Sequence, residues 1–358
     1  MLEEPRRELM VTETVSGKSR PFISVVVLNW NGREDTLTCL NSLAELTYPN
    51  FNVVVVDNGS TDDSLARLHA YTPPYTLTLI EAGRNLGYAG GNNVGVRRAL
   101  ANGTDFVLIL NNDTTVAPDL LDRLLEAAQR NPSAGVFGAR VLYASDPGRI
   151  WFDGAQWNRH TLRLEWPGQG ALANSLGSEV HETDYVCGAA LFFRAEVARQ
   201  IGLLDESFFL VWEEVDWCFR ARKAGWLNLV VPAAKVWHKI GVSFGNEASP
   251  LRAYFSIRNE MLWFARHAPL SARIRLWARN LRRLVPVFAL GREEGSSSKR
   301  LRWALQDYAY AWFGLGRRLQ YLAMRRAIMD YAHRRFGDCP EEVRLWSKAW
   351  SVQQHDAP

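Results

Sequence analysis

From Phe22 onward, short unbroken apolar runs alternate with stretches in which leucines recur every third position. "FISVVVLNW" and "NVVVVDNGS" are continuous and β-branched, the pattern of strands buried on both faces. Between them, "REDTLTCLNSLAEL" sets Leu37, Leu40, Leu43 and Leu46 on one side, which predicts a crossover helix. "LTLIEA" and "FVLILNND" predict two more strands, and "GGNNVGVRRALANG" a glycine-rich lead into the helix joining them. This β-α-β-α-β-α-β succession predicts an α/β fold with a mostly parallel central sheet flanked by helices.

After Asp119 the pattern loosens. "LLDRLLEAAQR" predicts a helix ending at Asn131-Pro132, and "AGVFGARVLY", "RIWFDGAQWN", "DYVCGAALFFR" and "LNLVVP" predict shorter strands. Beyond Pro250, long helical patterns rich in Arg, Trp and Tyr take over. The expected organisation is a disordered N-terminal tail (1–21), an α/β body (22–245) and a basic, amphipathic helical C-terminal region (246–358). "GREEGSSSKR" at 291–300 is the only linker-like segment.

Composition refines this picture in three ways. With 358 residues, 47% of them hydrophobic, the chain can bury one large core or two medium ones. Its four widely spaced cysteines point to reduced thiols in a cytosol rather than to a disulfide framework or a zinc ribbon. The net charge of +4 hides an asymmetry: residues 266–335 hold 16 Arg or Lys against 4 Asp or Glu, so the rest of the chain carries −8. The N-terminus lacks the apolar core of a secretion signal, and no uncharged run approaches the ~18 residues of a membrane span.

Candidate chemistry gathers where ligands collect in parallel sheets, at the C-terminal ends of the strands. The four strands are followed in turn by "NWNG", "DNGSTDDS", "GRNLGYAGGNN" and "NNDTT". Turn chemistry alone favours Asn, Asp and Gly there; their recurrence on one edge of one sheet says more. Asp57 is placed to accept hydrogen bonds from a nucleobase or ribose, or to cap a helix beginning near Thr61. Asp113 leaves an apolar strand beside two amides, as a ligand for Mg²⁺ or Mn²⁺ or as an Asx-turn. The chain has no G-x-x-x-x-G-K-[ST], which excludes a P-loop ATPase, and no G-x-G-x-x-G after its first strand, which argues against a nicotinamide Rossmann domain. Further on, "FFLVWEEVDWCFR" sets Glu213, Glu214 and Asp216 among aromatic residues, where ionised carboxylates need a task or a partner.

Taken as an ordered set, "SVVVLNWNG", "VVVVDNGSTDDS", "NLGYAGGNNVG", "VLILNNDTTV" and "FFLVWEEVDWCFRARKAGW" resemble the family 2 glycosyltransferases, and within them the bacterial rhamnosyltransferase-like branch. The resemblance spans roughly Phe22 to Pro269. It implies a GT-A fold, a nucleotide-sugar donor, a divalent metal and inversion at the anomeric carbon. By the same resemblance Asp57 holds the donor base, and Asn29, Asn85 and Gly91 fall in segments lining the nucleotide pocket. The D-x-D element maps onto Asn111, Asn112 and Asp113. With Asn in its first place, Asp113 supplies most of the metal's charge, and His238 resembles a downstream histidine that completes the metal shell. Glu214 takes the place of the general base, although it is Glu where the family has Asp, so Glu213 and Asp216 stay candidates beside it. Trp212 is placed either to stack on a sugar or to pack in the core.

In the C-terminal region, "SARIRLWARNLRRLVPVF" sets Ile274, Trp277, Leu281, Leu284 and Phe288 on one stripe. A second pattern runs through Leu305, Tyr308, Trp312, Leu315, Leu319 and Leu322 between paired arginines. Such helices suit an anionic membrane surface, or else packing on the body or on a second copy in a homo-oligomer. A peripheral protein on the inner face of the cell membrane, using a polyprenyl-linked glycan acceptor and a dTDP-, UDP- or GDP-sugar in polysaccharide synthesis, fits these signals. Nucleic acid is not an expected partner, because no recognition module is present. The rival readings are a non-catalytic sugar-nucleotide-binding paralogue and a sugar-phosphate nucleotidyltransferase; "NWNGRED" is a poor match to the latter's glycine-rich, basic loop.

Overall fold

The computed structural model of the chain describes residues 20–240, 249–284 and 318–355. The expected tail lies almost wholly outside these residues, as do the linker at 291–300, Phe288 and the first four apolar positions of the second C-terminal pattern.

The chain runs β1 (Ile23–Asn29), α1 (Arg33–Leu43), β2 (Phe51–Asp57), α2 (Ser64–Ala70), β3 (Thr76–Glu81), α3 (Gly87–Ala101), β4 (Phe106–Asn111), β5 (Thr114–Val116) and α4 (Leu120–Arg130). It continues through β6 (Ala134–Tyr143), β7 (Ile150–Phe152), the hairpin β8 (Gln156–Asn158) and β9 (Arg163–Glu165), β10 (His181–Glu182), β11 (Ala190–Arg194), α5 (Ala195–Ile201), α6 (Glu213–Lys223) and β12 (Leu227–His238). Among the described residues four helices follow: α7 (Pro250–His267), α8 (Leu270–Leu284), α9 (Arg318–Ala332) and α10 (Glu341–His355).

One sheet carries the order β10-β12-β6-β11-β4-β1-β2-β3. β1 pairs in parallel with β2 and β4, β2 with β3, and β6 with β12, while β11 joins the two parallel sets by running antiparallel to β4 and β6. The apolar runs are continuous because both faces of the sheet are covered. Val25, Val27, Val53 and Val55 face Leu40 and Leu43 of α1 and Leu121 and Leu124 of α4. Val26, Val54, Val56 and Ile109 belong to the opposite layer, which also holds Trp217 of α6 and Tyr254, Phe255 and Trp263 of α7. The core therefore runs without interruption across residue 246, where the sequence changes character. Ser249 starts α7, its hydroxyl accepting from the Arg252 amide at 3.2 Å with Pro250 in the first turn.

Three expected strands take a different form. "RIWFDGAQWN" splits into β7 and β8, because Asp153 turns aside to meet Arg140 in a buried two-pronged ion pair at 2.9 and 2.8 Å. "DYVCGAALFFR" is strand only from Ala190, and Cys187–Ala189 instead line a cavity. "LNLVVP" extends through His238 as one long strand, with a register break between Val231 and Lys235 where Pro232 cannot donate to the ladder.

Candidate active site

Strand register builds one wall of the site. β1 and β2 align Asn29 with Asp57, and β1 and β4 align Leu28 with Asn111, so the polar strand ends fall on a single edge. Just past β4 the chain turns tightly, Thr114 donating its hydroxyl to the Asn111 carbonyl at 2.6 Å. β12 then pairs His238 with Thr114, which brings His238 beside the turn. Its Nε2 lies 3.0 Å from Asp113 Oδ1 and 3.5 Å from the Asn111 amide nitrogen, and Trp151 packs edge-on against the imidazole. Both Asp113 and His238 are buried.

The other wall comes from the start of α6. Phe209, Val211 and Trp212 all adopt left-handed backbone, with φ of 61°, 64° and 79°. Such a conformation is rare for bulky and β-branched residues. Gly87, at the start of α3, makes room for this segment: a Cβ there would lie 2.4 Å from the Phe209 carbonyl oxygen. Glu213 and Glu214 follow in the first turn of α6, near the positive end of the helix dipole.

Glu213, Glu214, Asn111, Asp113, His238 and Trp212 line one cavity of about 460 Å³, together with Tyr88, Trp151, Trp166 and Tyr185. Burial pushes both glutamates above the ordinary carboxylate range, and the charge of Glu214 pushes Glu213 further still. Backbone N–H groups of Val215 and Gly188 work in the opposite direction on Glu214. One consequence is testable in the folded protein. Because the folded-state pKa of Glu213 is raised, its favourable contribution is full below the unfolded value near 4.5 and is lost as pH climbs through the folded value. Glu213→Gln should therefore melt at a higher temperature than the parent at pH 8, with the gain fading towards pH 4; a gain independent of pH would refute it.

Asp216 does not join its neighbours. At 3.6 residues per turn it stands on the far side of α6 from Glu214. It is fully buried, with Oδ2 accepting from Arg220 at 2.8 Å and Oδ1 facing His267 at 2.8 Å and Arg266 at 3.3 Å. Burial alone would raise its pKa, but His267 and Arg220 outweigh that and hold it below the usual range. These contacts tie α6 to α7.

A second hollow of about 130 Å³ adjoins the cavity, sharing Tyr88, Asn111 and Leu210 and adding Trp30, Asn58, Asn85, Asn112 and Arg344. Asn85 and Asn111 thus reach a pocket wall, whereas Asn29, Asp57 and Gly91 lie beneath it. Asp57 is buried, accepting from the Asn29 amide at 2.8 Å and the Ser60 N–H at 3.0 Å; Asp63, not Asp57, precedes α2. A Cβ on Gly91 would meet Leu28 at 2.4 Å and Asn58 at 3.2 Å, so this glycine lets α3 press against β1.

Sequence reasoning missed the tyrosines and Trp151 and Trp166 of the cavity, and Arg344 of α10. It also missed Arg258 and Asn259, two adjacent polar residues inside the apolar run "YFSIRNEMLWF", although that interruption was visible. Among the described residues, no three His, Cys, Asp or Glu side chains converge on a metal position. Asp113 and His238 nevertheless offer an oxygen and a nitrogen within 3.0 Å of each other. A two-donor protein set fits Mg²⁺ or Mn²⁺, which commonly retain waters and take further oxygens from substrate phosphates.

Residues 24–201 match the model of glycosyl transferase family 2, a span that ends before α6. Over 237 residues the chain is 30% identical to N-acetylglucosaminyl-diphospho-decaprenol L-rhamnosyltransferase of Mycobacterium tuberculosis, covering 60% of this chain and 75% of that one. It is 26% identical over 270 residues to dTDP-rhamnosyl transferase RfbF of Shigella flexneri, covering 71% and 83%. Its fold is similar to that of mannosyltransferase PcManGT from Pyrobaculum calidifontis in complex with GDP-Man and Mn²⁺, with a TM-score of 0.50, 16% identity and coverage of 95% and 89%. The sequence relatives and the shared architecture agree with the ordered motifs: the chain belongs to the family 2 glycosyltransferases and has their GT-A fold.

Proposed function

We propose that this glycosyltransferase moves a sugar, rhamnose by preference, from a nucleoside-diphosphate donor to a hydroxyl of a polyprenyl-linked glycan in cell-surface polysaccharide synthesis, with inversion and with a divalent cation. The observation that carries the proposal is the sharing of one cavity by the Asp113–His238 pair and the Glu213–Glu214 pair. The choice of rhamnose and of a lipid-linked acceptor is supported by the names of the Mycobacterium and Shigella relatives.

A nucleoside-diphosphate donor brings its own leaving group, which leaves the protein three tasks: orienting, neutralising and removing one proton. Asp113 and His238 would hold Mg²⁺ or Mn²⁺, which when bound offsets the charge developing on the departing diphosphate. The second hollow takes the nucleotide, with Asn85 and Asn111 offering amides on its wall. Trp151, Trp166 and Trp212 form apolar walls against which sugar faces can lie. Glu214 accepts the proton of the attacking hydroxyl, and its raised pKa makes it a stronger base than an ordinary carboxylate. Attack from the face opposite the leaving diphosphate inverts the anomeric carbon in a single displacement.

A lipid-linked acceptor would bring the enzyme to a membrane. Among the described residues, no helix is long and apolar enough to cross one. α8 exposes Leu270, Ile274 and Leu281 along with the cationic Arg275, a mixture suited to anionic headgroups on the cytoplasmic face. Failure to co-sediment with phosphatidylglycerol vesicles at low salt would remove this part of the proposal.

The test of function is a donor panel of dTDP-rhamnose, UDP-sugars and GDP-sugars with an N-acetylglucosaminyl-diphospho-polyprenol acceptor. Expected are transfer of rhamnose, its loss with EDTA and its return with Mn²⁺, and an inverted linkage by NMR. Undiminished transfer in EDTA would overturn the metal assignment. Donor binding without transfer or donor hydrolysis would instead favour a non-catalytic binder.

A further inference from the structure

Arg258 and Asn259 of α7 are fully buried, and neither lines the cavity. Both face the left-handed segment that precedes α6. The amide nitrogen of Asn259 lies 2.8 Å from the Phe208 carbonyl oxygen, 2.7 Å from that of Leu210 and 2.8 Å from that of Val211. Arg258 adds bonds to the carbonyls of Phe208 at 3.0 Å and Ser207 at 3.3 Å. Its Nε also donates to Asn259 Oδ1 at 3.0 Å. A guanidinium can only donate, so this bond fixes the amide with its oxygen towards Arg258 and its N–H groups towards the loop.

The segment needs these donors. Left-handed backbone at Phe209, Val211 and Trp212 breaks any regular ladder, so the carbonyls of the segment need donors from elsewhere. Asn259 serves the carbonyls of Phe208, Leu210 and Val211, while the Ala89 N–H serves Phe209 and the Gly337 N–H serves Ser207. An apolar side chain of equal size would fill the space yet deprive the Leu210 and Val211 carbonyls of this donor, whereas Phe208 keeps the Leu210 N–H and Arg258. Trp212 is the last residue of the segment and the first flank of α6, so the twist of the loop sets where the helix points its first two carboxylates.

We propose that Asn259, braced by Arg258, is a positioning residue that locks Ser207–Trp212 in its left-handed form and thereby aims Trp212 and the Glu213–Glu214 pair into the cavity. The catalytic role of those glutamates rests on the proposed function. The brace extends outward: Arg258 Nη1 lies 3.5 Å from the Tyr254 hydroxyl, which donates to Asp330 of α9 at 2.8 Å.

The test compares the full chain with Asn259→Leu, Asn259→Asp and the milder Tyr254→Phe, by amide hydrogen exchange and by transfer kinetics. In folded Asn259 variants, exchange at Phe209–Trp212 should accelerate by about tenfold or more, with β1, β2 and β4 unchanged. The rate kcat should fall by about 10²-fold. Nucleoside-diphosphate affinity should fall by no more than about tenfold, because only Phe209 and Leu210 of the segment line the hollow assigned to the nucleotide, a split that a general loss of folded protein would not produce. Tyr254→Phe, which removes one hydroxyl, should loosen the same segment to a lesser degree, and it decides the matter if the Asn259 variants do not fold. Unchanged exchange in a folded variant, or kcat falling only with the folded fraction, would overturn the proposal. The exchange measurement needs no substrate, so a parent enzyme that transfers no tested sugar would refute the assigned reaction while the clamp stood or fell on exchange alone.

Discussion

Glu214→Gln should lower the transfer rate by about 10²- to 10⁴-fold, the usual worth of a positioned proton acceptor. The replacement keeps the size and hydrogen-bonding reach of the side chain and leaves α6 intact, but it removes the basic lone pair. Donor affinity should change little, because Glu214 lines the larger cavity and not the adjoining hollow assigned to the nucleotide. The parent's pH profile supplies the second half of the test. Only the ionised carboxylate accepts a proton, and burial raises the pKa of Glu214. The rate should therefore rise with pH along a limb displaced above the ordinary glutamate value, and that limb should vanish in the Gln variant. A variant with near-normal turnover and an unaltered limb would move the base to another residue.

Asp113→Asn should lower kcat/KM by about 10²- to 10³-fold, comparable to removing one preorganised stabiliser of transition-state charge. The side chain would still fit its tight turn, so the loss would report charge rather than folding. With Asn at position 111, Asp113 is the sole carboxylate of the Asn111–Asn112–Asp113 element, and its His238 neighbour adds a nitrogen but no negative charge when neutral. Calorimetric titration of Mn²⁺ in the presence of a nucleoside diphosphate gives an independent reading. The variant should bind the ion more weakly, with His238→Ala showing a smaller loss. Equal Mn²⁺ affinity in Asp113→Asn and the parent would place the cation elsewhere.

The parts of the fold that were legible in the sequence are those set by local pattern. Strands such as Ile23–Asn29 and Phe51–Asp57 are runs that only a sheet covered on both faces accommodates; Asp113 stood out at the exit of such a strand, and His238 through the resemblance to the family. Glu213 and Glu214 were recognisable as charges among aromatics. What escaped detection depended on tertiary partners. Asp216 shares their local signal, yet its role follows from Arg220, Arg266 and His267, two of which lie some fifty residues along the chain. Asp57 read as a nucleotide ligand or a helix cap; it caps no helix, and each of its oxygens accepts one bond, from Asn29 and from Ser60, which no local pattern shows. Arg344 reaches the second hollow only because α10 folds back over the body, which no periodicity announces.

The unbroken core across residue 246 bears on how this enzyme can be rebuilt. The change in composition there invites a cut, but Trp263 and Phe264 beyond it are as deeply enclosed as the strands before it. A chimaera grafting another enzyme's basic tail at that junction would lose its own loop fastener along with α8. Altering acceptor choice by exchanging tails would then require importing the recipient loop as well, so that the two travel as one cassette.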